Sequence, residues 1–235
     1  LVLLLAALFI SAMISSISSK PLKQLALCLV LAIILHLLAG RIGWLWRYEM
    51  YIWAVSFAFI VLLALIYKNR LAKFASVMLL LVSAEHLIAI AIIPQASSNI
   101  YLQQFQMHRF ITEFYKKPVA INDLGWPSYK NSDYVLDLWG LGSSKARELR
   151  KSEQNSQWME ALAQQHDVNL IMIYHDPIWF PTVPEGWQKL GELDSDRLRI
   201  TARLPVSIFS RCEDCQAEIE GKLQDFAKTL PDGAM

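Results

Sequence analysis

Excess charge of either sign is missing from this chain: 22 Lys and Arg stand against 21 Asp and Glu, a formal net charge of +1. That balance argues against a nucleic-acid partner, whose binders concentrate Lys and Arg on one face. Cysteine is scarce as well. Of three in all, only Cys212 and Cys215 stand close together. One Cys-x-x-Cys pair supplies two of the four ligands a structural zinc needs. The sequence has no internal repeats and no low-complexity tracts. It also has no Met at position 1 and no charged segment before its first apolar run, which suggests the C-terminal piece of a longer protein.

What is abundant is apolar length. Hydrophobic residues make up 54% of the chain, above the roughly 45–50% of an ordinary domain. The excess lies at the front, in Leu1–Ser18, Leu22–Ala39, Met50–Tyr67 and Phe74–Ile93. Each is close to the ~20 residues a helix needs to cross a bilayer, and in hydrocarbon a helix satisfies its own backbone. Ser15, Ser16, Ser18 and Ser19 would suit the end of a signal peptide, but three further apolar runs favour a multi-pass protein. The expected fold is therefore a membrane α-helical bundle of four spanning helices over residues 1–96, followed by a small α/β domain over residues 97–235.

Orientation follows from counting basic residues in the links. Lys20, Lys23, Lys68, Arg70 and Lys73 fall on one side; the middle link has Arg41 and Arg47, partly offset by Glu49. The expected location is the cytoplasmic membrane, with the C-terminal domain on its outer, periplasmic face. Trp44, Trp46, Tyr48, Tyr51 and Trp53 suit an interfacial aromatic belt. They also suit a lipid-substrate site.

Beyond the apolar half, Pro94 is expected to end the fourth span, with Ser97 or Ser98 capping a helix that buries Met107, Phe110, Ile111 and Phe114. Strands are expected at Val119–Asn122, Tyr134–Leu138 and Val168–Tyr174, and further ones at Trp187–Leu193, Arg199–Leu204 and Val206–Ser210. A last helix covers roughly Asp214 to Leu230. Strand–helix–strand order points to an α/β layer with parallel pairing.

Several residues are candidates for chemistry. Arg47, flanked by Tyr48 and Tyr51, can meet a lipid phosphate bidentately, or it can serve as an interfacial anchor. Glu85 and His86 lie inside an apolar run, where ionisable groups face a cavity or a partner helix; His36 is one such partner. Parallel strands would gather Asn122, Asp123, Asp137, His175 and Asp176 at their carboxyl edge, where open α/β sheets bind ligands. Those residues could hold a divalent metal or act as acid and base. They are also what turns use for their own backbone hydrogen bonds. Cys212 and Cys215, facing outward, favour a disulfide, with a redox-active pair as the alternative. Cys28 falls in an apolar run and carries no expected role.

Four stretches in order, Gly43–Tyr51, Ile100–Phe110, Val119–Gly125 and Tyr134–Leu141, resemble bacterial integral-membrane glycosyltransferase-like proteins of the GT-C type. The resemblance implies transfer of a sugar from a polyprenyl-phosphate donor to a cell-envelope acceptor. It also implies a catalytic acidic residue in an outward loop upstream of this chain, with Arg47 and Tyr48 bordering the lipid phosphate. The competing expectation is a non-enzymatic, membrane-anchored protein that binds or assembles an envelope partner. A thiol–disulfide protein working through Cys212 and Cys215 is a third.

Overall fold

The computed structural model describes residues 19–42, 47–66, 70–153, 155–197, 200–201 and 204–235. The chain divides into two units, Leu1–Ala91 and Ile92–Met235.

In the first unit, α1 (Lys20–Ala39) carries Pro21 in its first turn. There a missing N–H costs nothing, because no helical acceptor precedes it. Leu22, Ala26, Leu29 and Ile33 are buried at helical spacing and pack with Ile52, Phe59, Ile60 and Leu63 of α2 (Met50–Ile66). The third helix, α3 (Arg70–Leu102), is 33 residues long and runs through Pro94.

The expected four-span bundle is overturned. Among the described residues one helix, α1, is long and apolar enough to cross a membrane. The second helix, α2, is 17 residues long, Met50–Ile66, giving about 26 Å of helix against a ~30 Å core. Phe74–Ile93 is an interior stretch of α3. Leu1–Ser18 lies outside the described residues. Pro94 does not end its helix, and Ser97 and Ser98 are helical instead of capping. A proline removes a single N–H from the ladder, and the helix continues past it through the mostly polar Gln95–Asn99.

In the second unit α3 breaks at Gln103, α4 (Gln104–Arg109) follows, and a π-helical turn covers Phe110–Tyr115. The wider π turn puts Phe110, Ile111 and Tyr115 all inside. Then come β1 (Val119–Ile121), the short α5 (Gly125–Ser128), β2 (Val135–Asp137), α6 (Ser144–Ser152), α7 (Gln157–Gln165) and β3 (Leu170–Ile173). The chain ends with β4 (Gln188–Leu193), β5 (Val206–Ser210) and α8 (Glu213–Ala227). No strand forms at residues 200–201 or 204, and the rest of the expected Arg199–Leu204 strand lies outside the described residues.

The sheet order is β2-β1-β3-β5-β4, with β1 parallel to β2 and β3, and β5 antiparallel to β3 and β4. Ala120 pairs with Leu136 on one side and Ile171 on the other. Strand alternation divides the core into two layers. Val119, Ile121, Leu170, Met172 and Ile208 meet the π turn and α8, through Phe110, Ile219 and Phe226. Ala120, Leu136, Ile171, Ile173 and Phe209 meet α6 and α7, through Ala146, Met159 and Leu162. Covered on both faces, the three parallel strands read as unbroken apolar runs, and the sheet edges are left for polar groups.

Candidate functional site

Because β1, β2 and β3 run parallel, the residues that follow them collect at one edge. Asp137 closes β2, and both its oxygens are occupied. Oδ1 accepts from the backbone N–H groups of Trp139 and Gly140, each at 2.9 Å, and Oδ2 from those of Gly142 at 2.6 Å and Ser143 at 3.1 Å. Ser143 then caps α6, its Oγ accepting from Ala146 N at 3.1 Å. Gly140 sits at φ +87°, and a Cβ there would run into Arg147. The loop is thus tied down by one carboxylate and turned by one glycine.

Asp176, after β3, works similarly on a smaller scale. Its Oδ1 accepts from Ile178 N at 2.5 Å and Trp179 N at 3.0 Å, fixing the turn that carries Trp179. Its Oδ2 is buried with no hydrogen-bond partner among the described residues. Asn122 joins β1 to β3 past their last pair, its Oδ1 accepting from Tyr174 N at 3.1 Å. His175 is exposed, its ring edge-on to Phe209 at 5.6 Å.

Behind this edge is a buried amide cluster. The Tyr174 hydroxyl donates to Gln103 Oε1 at 3.0 Å and accepts from Gln104 Nε2 at 2.9 Å. Gln103 Nε2 donates to the Leu204 carbonyl at 2.7 Å. Burial first, and then the nearby charge of Asp123, hold the Tyr174 hydroxyl well above the usual tyrosine range. This cluster keeps a neutral phenol in place and ties the start of α4 to β3.

The loop fixed by Asp176 and the α6–α7 link wall a cleft of about 230 Å³. Arg150 of α6 lies over the Trp139 ring, its guanidinium carbon 3.6 Å from the centroid, and its Nε donates to the Trp139 carbonyl at 3.1 Å. Trp179 packs on Trp139 at 4.5 Å, and Phe180 meets it edge-on at 5.8 Å. Asn155, Ser156 and Thr182 add polar groups to the wall. Sequence reasoning missed Arg150, Trp179 and Phe180. Arg150 is 11 residues from its Trp139 partner, and no local spacing announces that contact. The available signal was weak: Trp139 and Trp179 both follow turn residues just after apolar strands.

The other candidates lie apart. In the first unit Arg47 is exposed and Tyr48 half-buried. The Tyr51 hydroxyl and His36 Nδ1 are hydrogen-bonded at 2.9 Å, which links α2 to α1. His36 therefore pairs with Tyr51, while the His86 ring sits edge-on to Trp53 at 4.5 Å. The Glu85 side chain, Trp44 and Trp46 lie outside the described residues. Cys212 and Cys215 are disulfide-bonded, and Cys28 is free and exposed. The suggested divalent metal does not fit the donor set. Asp137 spends its lone pairs on four N–H groups, and among the described residues no group of three or more His, Cys, Asp or Glu is arranged to hold an ion.

A family model described as a domain of unknown function (DUF8728) matches residues 98–211. The match runs from the end of α3 through β5 and takes in the whole carboxyl edge. No curated protein and no solved structure matches the chain. None of these comparisons bears on glycosyl transfer.

Proposed function

We propose that residues 92–235 form a ligand-recognition domain, held at a membrane by α1, that grips a sugar-bearing ligand for a glycosyltransferase-like reaction. In this reading the sugar comes from a polyprenyl-phosphate carrier and passes to a cell-envelope acceptor. The domain stands on the outer face of the cytoplasmic membrane. The observation that carries the reading is the cleft between the Asp176 loop and the α6–α7 link, where the Trp179 ring, one amide, two hydroxyls and one guanidinium meet. Aromatic faces pack on the apolar side of a sugar ring while amides and hydroxyls take its OH groups, and rigid loops limit the entropy lost on binding. The outward placement is supported by the Cys212–Cys215 disulfide, since such bonds persist in oxidising compartments.

A second reading, a non-enzymatic envelope binding or assembly protein, is favoured by one specific feature. Glycosyl transfer needs a base for the acceptor hydroxyl, and the edge carboxylates serve backbone N–H groups instead, Asp137 four of them and Asp176 two through Oδ1. The test is direct. The full chain in native membranes is supplied with a polyprenyl-phosphate sugar, and both ligand retention and release of free polyprenyl phosphate are measured. Retention abolished by Trp179→Ala is expected under both readings, and release of the carrier selects the first. A wild-type chain that retains no ligand contradicts both.

A further inference from the structure

We infer that the Arg150 cleft selects a sugar ring that bears an oxyanion, a phosphate or a carboxylate, with the anion on Arg150 and the ring against Trp179. This rests on the recognition reading above and narrows it to a ligand class.

The geometry of Arg150 carries the argument. Its guanidinium is fixed before any ligand arrives, flat on Trp139 at 3.6 Å and tied through Nε to the Trp139 carbonyl at 3.1 Å. Much of the rotamer freedom that an arginine normally loses on binding is already gone. Nε and one face are used, and among the described residues no acceptor takes the two terminal nitrogens. Those are the atoms that hold a carboxylate or phosphate in a two-point contact. The side chain is half-buried; burial draws its pKa down, and the nearby Asp137 carboxylate, its own oxygens spent on four backbone N–H groups, offsets part of that. Such a cation gains more from an incoming anion than a solvated one does.

The rest of the wall excludes a bare ion as the natural occupant. The half-buried Trp179 ring gives the cleft an apolar side, with Trp158 and Phe180 buried beneath it, and inorganic phosphate would leave that ring uncovered. Asn155, Ser156 and Thr182 add donors and acceptors to the wall that ring hydroxyls can use. The carboxylate on this wall, Glu153, is exposed, where water and salt screen it. A guanidinium set between an aromatic side and a polar side matches a ligand with the same three parts.

The test is isothermal titration of the full chain in detergent micelles with four probes: glucose 1-phosphate, glucuronate, glucose and inorganic phosphate. Both charged sugars are expected to bind at least about tenfold more tightly than glucose or phosphate alone. If the phosphate ester wins over the carboxylate, the source is a sugar phosphate; the reverse points to an acidic envelope polysaccharide. Arg150→Gln is expected to remove the preference for charged over neutral sugar, and Arg150→Lys to restore only part of it. Should Arg150→Gln fail to fold, the four-probe ranking on the wild type still decides. Glucose binding as tightly as its charged relatives would overturn this inference and leave the recognition reading standing. Binding of neither charged sugar would overturn both.

Discussion

At the residue scale, Asp137 is the part on which the edge depends. Asp137→Asn replaces an acceptor oxygen with an NH2 that faces backbone donors, leaving at least one pair of N–H groups without acceptors. A loss of roughly 2–3 kcal/mol is expected, read as a shift in the urea midpoint. Gly140→Ala should also destabilise, by about 2 kcal/mol, because φ +87° strains an L side chain and the new methyl meets Arg147. Tyr115 gives a pH signature. Burial, then the charges of Glu218 and Asp167, push its hydroxyl up to about 12 from 10.0. The fold holds the protonated phenol, so this contribution is complete below the ordinary value. It is lost as pH rises through about 12. Titration of tyrosinate absorbance should show Tyr115 and Tyr174 ionising later than the exposed tyrosines, and Tyr115→Phe should blunt the alkaline loss of stability. The edge residues Asn122, Asp137 and Asp176 could be picked out from the sequence because turn-forming residues directly follow apolar strands. Their role could not, since a carboxylate that binds a ligand and one that binds four backbone N–H groups look alike in one dimension. Arg150 was hidden for the opposite reason: its meaning lies in a contact between separate elements.

At the element scale, the three parallel strands were readable because strands buried on both faces are continuous apolar runs with sharp stops. α8 was readable within a residue or so at its start, since Cys212 caps it, its Sγ accepting from Cys215 N at 3.2 Å. Pro94 misled because one proline removes a single ladder N–H, and α3 runs on through Gln95–Asn99 to Leu102. The Cys212–Cys215 bond closes a short loop at the α8 N-terminus. Replacing both with Ser should cost about 2 kcal/mol by the loop-entropy relation, with a hydroxyl cap retained. Thiol counting on the native protein should find Cys28 alone reactive, and two further thiols after reduction.

At the scale of the whole molecule, apolar length alone overstated the membrane part. Four runs of suitable composition became, among the described residues, one helix that meets the length a bilayer requires. That helix is expected to hold the chain in the membrane. Carbonate extraction should leave the protein in the pellet, and replacing Leu29, Val30 and Ile33 with Asp should release it. Under the proposed function the α/β unit presents the Arg150–Trp179 cleft to its ligand. The most direct measurement of that claim is fluorine NMR of the full chain labelled with 5-fluorotryptophan, with the Trp179 signal assigned through Trp179→Phe and followed as polyprenyl-phosphate sugar is added. A saturable shift of Trp179, with little change in tryptophans remote from the cleft, is the predicted result; a Trp179 signal that stays fixed at saturating ligand would contradict it.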